Sequence, residues 1–149
     1  MKKVYLAGYD VFAADAVRRG AQMKRACAER GFIGLYPLDN EASDPKEIFT
    51  GNLELIEQCD ILIANLNSFR GAEPDSGTCF EVGYAYAKGK RIYGYLEDCR
   101  TMREKLGEWD SDGFAVENFD MAVNLMLGCS VVIVQGKLED CLRLAAQEV

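Results

Sequence analysis

Histidine is absent from the 149 residues, so the side chain that titrates nearest neutral pH is unavailable for acid–base work. Its absence also removes the usual Cys/His zinc sites, and none of the six cysteines belongs to a CxxC pair, so no metal site is expected. Basic blocks are missing too. With a net charge of −7, the chain is a poor partner for a nucleic acid polymer or an anionic membrane surface. A small uncharged nucleoside remains allowed, because it brings no phosphate to neutralise. Neither a GxGxxG fingerprint nor a P-loop occurs, which disfavours dinucleotide and nucleoside-triphosphate binding. No apolar run reaches membrane-spanning length, and Met1-Lys2-Lys3 leads directly into a strand-like segment without a signal-like stretch. The expectation is therefore a cytoplasmic protein with reduced thiols.

What is present is an alternation of short apolar runs and helical periodicities. The runs Val4–Gly8, Phe32–Tyr36, Cys59–Leu66, Arg91–Leu96 and Ser130–Val134 read as strands. Between them, helical spacing covers about 15–30, 45–58 and 78–88. A further helix is expected over Phe119–Leu127, with Asn118 as its cap and Met121, Leu125 and Met126 in the core, and a last one over Leu138–Gln147. The charged segment Glu97–Asp112 reads as weakly ordered. This pattern predicts one domain over residues 1–149: an α/β, doubly wound, flavodoxin-like fold with a mainly parallel five-stranded sheet and helices on both faces. In such sheets ligands bind outside the carboxyl ends of the strands, which directs attention to the loops after strands one, three and four.

The loop after strand three carries Asp75 and Glu81, six residues apart around a glycine-containing turn. That spacing can hold a carboxylate nucleophile and a carboxyl acid/base on opposite sides of one pocket. Purely structural accounts stand beside it. Thr78 and Glu81 fit the first and last positions of a capping box. Asp75, in Pro-Asp-Ser-Gly, fits a turn residue bonding its own backbone. Arg70 reads as a solvated loop charge. Tyr5 reads as core, with its hydroxyl at the rim where it could orient Glu81. Asn124, set between apolar residues, must satisfy its amide if buried or else bond a sugar hydroxyl.

Taken together, these residues resemble the nucleoside 2-deoxyribosyltransferases. The matching pieces are Val4–Gly8 with Phe12, Pro37-Leu38-Asp39-Asn40-Glu41, Cys59-Asp60 with its strand, Phe69–Gly83, Arg100–Gly107 and Asn124-Leu125-Met126. The resemblance implies that Glu81 attacks C1′ of a 2′-deoxyribonucleoside, that Asp75 recognises and protonates the base, and that Tyr5 holds the nucleophile. Gly8, Phe12 and Asn52 fall among the substrate-binding positions. Asn124, with Met126 nearby, is implied to bind the sugar hydroxyl of a neighbouring subunit's substrate. The implied assembly is a homo-oligomer, a hexamer built from dimers, with no metal or organic cofactor. One departure is visible: Asn52 stands where some relatives carry an aspartate, which puts base preference in question.

The expected activity is base exchange on 2′-deoxyribonucleosides with free nucleobases, through a covalent glutamyl-deoxyribose, with slow hydrolysis when no acceptor base is present. Two alternatives are an N-glycosidase for 2′-deoxynucleoside 5′-monophosphates and a non-catalytic nucleoside-binding module.

Overall fold

The computed structural model describes residues 1–148; Val149, the last position of the expected domain, lies outside the described residues. Five strands form the sheet: β1 (Lys3–Ala7), β2 (Ile33–Leu35), β3 (Ile61–Asn65), β4 (Arg91–Leu96) and β5 (Val132–Gln135). Their order is β2-β1-β3-β4-β5, and every pairing is parallel. This is the flavodoxin-like arrangement expected from the alternation.

Among the described residues six α-helices accompany the sheet: α1 (Ala16–Glu29), α2 (Pro45–Gln58), α3 (Ser76–Ala87), α4 (Met102–Leu106), α5 (Leu125–Gly128) and α6 (Leu138–Glu148). Strand parity divides the core into two layers. Tyr5, Ala7, Leu62, Ala64, Ile92 and Leu96 pack with Ile56 of α2 and with Val82 and Ala85 of α3. Their neighbours Val4, Leu6, Ile61, Ile63 and Tyr93 face the other way, against Cys27 of α1 and Cys141, Leu142 and Ala145 of α6. Each fully buried aliphatic side chain contributes about 1.5–3 kcal/mol. A one-residue slip of β1 would exchange the layers and carry Tyr5 to the wrong face.

Helix starts follow local chemistry. Asp44 caps α2 by accepting the backbone N–H groups of Lys46 and Glu47, each at 3.2 Å, and Pro45 occupies the first turn where no N–H is needed. The segment read as weakly ordered contains α4, started by a capping box in which Thr101 and Glu104 bond each other's backbone.

The helix expected over Phe119–Leu127 is corrected. Residues 119–124 are irregular, and α5 begins only at Leu125. Asn124 is its cap, its side chain accepting the Met126 N–H at 2.8 Å, and Asn118 is not. Asn124 competes for backbone bonds and so ends an irregular stretch better than it continues a helix. Met126, expected in the core, is 73% exposed. Among the described residues, no helix is long and apolar enough to cross a membrane.

Candidate active site

A cavity of about 280 Å³ opens beside the carboxyl end of β1. Helices α2 and α3 each present one face to it. Phe49, Asn52 and Leu53 come from α2, and Gly77, Phe80 and Glu81 from α3. Both triplets follow the i, i+3, i+4 spacing that aligns side chains on one helical face. Phe49 and Phe80 meet across the gap, with ring centroids 5.7 Å apart and planes tilted by 54°. A short turn after β1, Tyr9–Phe12, brings Val11 and Phe12 to the wall, and Gly8 and Asp75 complete it with Pro37.

Glu81 has Tyr5 beneath it. The phenol donates to Glu81 Oε2, and Tyr5 itself is completely buried. The hydroxyl expected at the rim thus lies under the carboxylate, within the core. Burial pushes the Glu81 carboxyl up to about 7; the Tyr5 hydrogen bond works against that shift, and the Asp75 charge adds to it. Tyr5 is held far above its ordinary value, first by burial and then by the Glu81 charge, so it remains a donor.

The structure replaces the capping box read at Thr78 and Glu81. Helix α3 starts at Ser76, and its cap is Asp75, whose Oδ2 accepts the Thr78 backbone N–H at 3.0 Å and the Thr78 hydroxyl at 2.8 Å. Capping α3 at Asp75, three residues before Thr78, places Glu81 in its second turn, clear of its own backbone and turned to the cavity. Asp75 therefore does combine a backbone role with a place on the wall. Among the described residues its second oxygen, Oδ1, has no protein partner.

Asn52 lines the cavity, and among the described residues its buried Oδ1 has no hydrogen-bond partner. Gly8 is required for space. A Cβ there would sit 2.8 Å from both Asn65 Cβ and Asp10 Oδ2.

The structure brings Glu81, Asp75, Tyr5, Asn52, Gly8 and Phe12 together. It does not bring Asn124 and Met126 to them within one chain. Those two line a second, larger cavity of about 570 Å³ on the far side of α3, with Cys79, Val82, Gly83 and Tyr86. The α3 residues alternate between the two cavities because they lie on opposite faces of one helix.

Phe49, Leu53 and Phe80 were not singled out in the sequence, although their helical spacing from Asn52 and Glu81 marks the shared faces. An aromatic cluster was also missed: Phe69 stacks on Tyr9 at 4.9 Å and on Phe12 at 5.6 Å, with Arg70 over Phe12 and Phe69. No group of three or more His, Cys, Asp or Glu side chains is arranged for a metal ion among the described residues.

Residues 4–126 match the family model for nucleoside 2-deoxyribosyltransferase. A 2-desoxiribosyltransferase from Leishmania mexicana superposes with a TM-score of 0.90 at 34% identity, covering all of both chains. The uncharacterized protein C191.05c of Schizosaccharomyces pombe is 34% identical over 69% of this chain, which spans 54% of that relative's length. A putative 2′-deoxynucleoside 5′-phosphate N-hydrolase 1 from Thermofilum pendens is 29% identical over 78% of this chain and 81% of its own. By its sequence match across the strands and loops that build this cavity, the chain belongs to the nucleoside 2-deoxyribosyltransferase family.

Proposed function

We propose that the protein exchanges the base on 2′-deoxyribonucleosides through a covalent sugar–enzyme ester. The observation that carries this reading is the Tyr5–Glu81 hydrogen bond at a cavity that also holds Asp75. The phenol and the buried setting keep one carboxylate oxygen fixed while the other is free to attack.

In the first half-reaction Glu81 Oε1 forms a bond to C1′, the C1′–N glycosidic bond breaks with oxocarbenium character, and its electrons go to the base. Asp75 delivers a proton to the departing base. In the second half-reaction a nitrogen of another base attacks C1′, the ester bond breaks, and Glu81 leaves as carboxylate. Asp75 takes the proton shed by the incoming base. Two inversions give net retention. Water in place of the second base gives slow hydrolysis.

A 2′-hydroxyl would withdraw electrons from the forming cation, so the deoxy sugar is the favoured donor. Phe12, with Phe49 and Phe80, provides apolar and aromatic walls for a planar base, while Gly8 leaves room for its approach and Asn52 Oδ1 accepts one hydrogen bond. Asparagine at position 52 accepts without charge, which favours substrates presenting an N–H or O–H there.

Residues 1–149 act in this reading as one domain in a homo-oligomer, a hexamer built from dimers, in the cytoplasm. Asn124 and Met126 lie on the opposite side of α3 from Glu81, so they serve a neighbouring subunit's site, where Asn124 bonds the sugar hydroxyl. No cofactor takes part.

A second reading, hydrolysis of 2′-deoxynucleoside 5′-monophosphates, draws on the name of the Thermofilum pendens relative. Against it, the residues lining the cavity include no lysine or arginine to receive a phosphate. The deciding experiment follows deoxyinosine plus adenine by chromatography, with dAMP as the competing donor. Deoxyadenosine should form with wild type and not with Glu81→Ala. Base release from dAMP without exchange would favour the second reading.

A further inference from the structure

The loop between β3 and α3 reaches back over the turn that carries Phe12. Phe69 lies nearly parallel to Tyr9, with 4° between planes, and to Phe12, with 7°. The Arg70 guanidinium carbon sits 4.5 Å from the Phe69 centroid and 5.1 Å from that of Phe12. Among the described residues, Arg70 forms no ion pair, so these rings are its main partners. Its backbone is unusual as well. Arg70 has φ of 55°, a left-handed conformation uncommon outside glycine, and Gly71 follows with φ of 137°. The turn is closed by the Phe69 N–H to Glu73 carbonyl bond at 3.0 Å and the Ser68 hydroxyl to Ala72 carbonyl bond at 3.1 Å.

An exposed arginine in a disfavoured backbone conformation is not needed to close this turn, since glycine would do so with less strain. What arginine adds is a cation over two rings. Phe12 is 59% exposed and lines the cavity, so without that contact its ring is held by the stack on Phe69 alone. A guanidinium plane bridging Phe12 and Phe69 ties the cavity wall to the stacked pair Phe69–Tyr9.

We propose that Arg70 is a positioning residue for the nucleobase: it clamps Phe12 against Phe69 and so presents a fixed aromatic wall on which the base stacks. The inference rests on the base-exchange reading and adds to it a residue that touches neither the sugar nor the reacting atoms. Because the clamp acts on binding of the base and not on the chemistry at C1′, its loss should raise KM and leave kcat nearly unchanged.

The test compares Arg70→Gln, Arg70→Lys and Arg70→Gly in two measurements. Steady-state exchange gives KM and kcat for deoxyadenosine, and calorimetry on a Glu81→Gln background gives its affinity without turnover. With cation–π contacts to two rings removed, Arg70→Gln and Arg70→Gly should bind about three- to tenfold more weakly, with kcat within about twofold. Arg70→Lys, which keeps a cation, should recover much of the affinity. Wild-type affinity in Arg70→Gly would overturn the proposal, because relief of the backbone with no cation would then suffice. So would a fall in kcat at unchanged KM. If wild type neither binds nor exchanges deoxyadenosine, the base-exchange reading fails and the clamp fails with it. Normal exchange with unchanged affinity in Arg70→Gln removes the clamp alone.

Discussion

The phenol of Tyr5 donates to the carboxylate of Glu81 across 76 residues of sequence, from a position with no solvent exposure. This contact joins the interior strand β1 to helix α3 and fixes one oxygen of the acid. It also sets a contest. Burial raises the Glu81 carboxyl to about 7, while the phenol opposes that rise.

The contest predicts a pH profile. A nucleophile must be ionised, so kcat/KM for exchange should rise with pH through an apparent value near 7. Tyr5→Phe deletes the interaction that lowers the Glu81 value, so the limb should move to higher pH and the loss of rate should be larger at pH 6 than at pH 8.5. A limb that stays in place would separate Tyr5 from the ionisation of Glu81.

Stability should move the opposite way. The folded value of Glu81 lies above its ordinary 4.5, so the folded state holds the proton more tightly. The resulting stability is present below about pH 4.5 and is lost as pH rises toward 7. Glu81→Gln removes the buried charge and should be more stable than wild type at pH 8 by up to about 3 kcal/mol, while losing exchange. Urea unfolding at pH 4 and pH 8 measures the difference, which should shrink at the lower pH.

Asp75 invites a separation of its two roles. Asparagine can still cap α3, so Asp75→Asn should unfold close to wild type, whereas Asp75→Ala should cost about 1 kcal/mol. Both should slow base release by about 10²–10⁴-fold, because neither can donate a proton. Thermal melts beside exchange assays distinguish cap from acid.

Gly8→Ala tests close approach. The new methyl would stand 2.8 Å from Asn65 Cβ, which cannot swing away as a flexible tip could. A loss of about 1–3 kcal/mol is expected, with weaker substrate binding as the strand end shifts.

Subunit sharing is open to a mixing experiment. Glu81→Ala and Asn124→Ala should each be inactive alone. If Asn124 serves a neighbour's site, refolding the two together should restore part of the activity, because mixed assemblies contain some intact sites. Mixtures as inactive as either parent would place Asn124 outside the site.

The order of strands and helices was readable because each buried strand is an apolar run and each long helix carries periodic apolar residues. Fourfold agreement of strand, loop, helix and motif around Asp75 and Glu81 made that region legible too. The errors fall where side-chain bonding decides a boundary. Asp75, not Thr78, caps α3 by accepting the Thr78 N–H, and Asn124 starts α5 instead of lying within a longer helix. Arg70 looked like a solvated charge because Phe12, which with the adjacent Phe69 receives its guanidinium, lies far from it along the chain.

By itself the sequence determined the doubly wound fold and the set of acids available in a chain without histidine. Periodicity and residue chemistry are local properties, and they are written in order along the chain. Only the tertiary structure decided that Tyr5 lies under Glu81, that Asp75 is both cap and cavity wall, and that Asn124 faces away. Those outcomes depend on strand parity and on which face of α3 each residue occupies, and both are settled only when the sheet and helices pack.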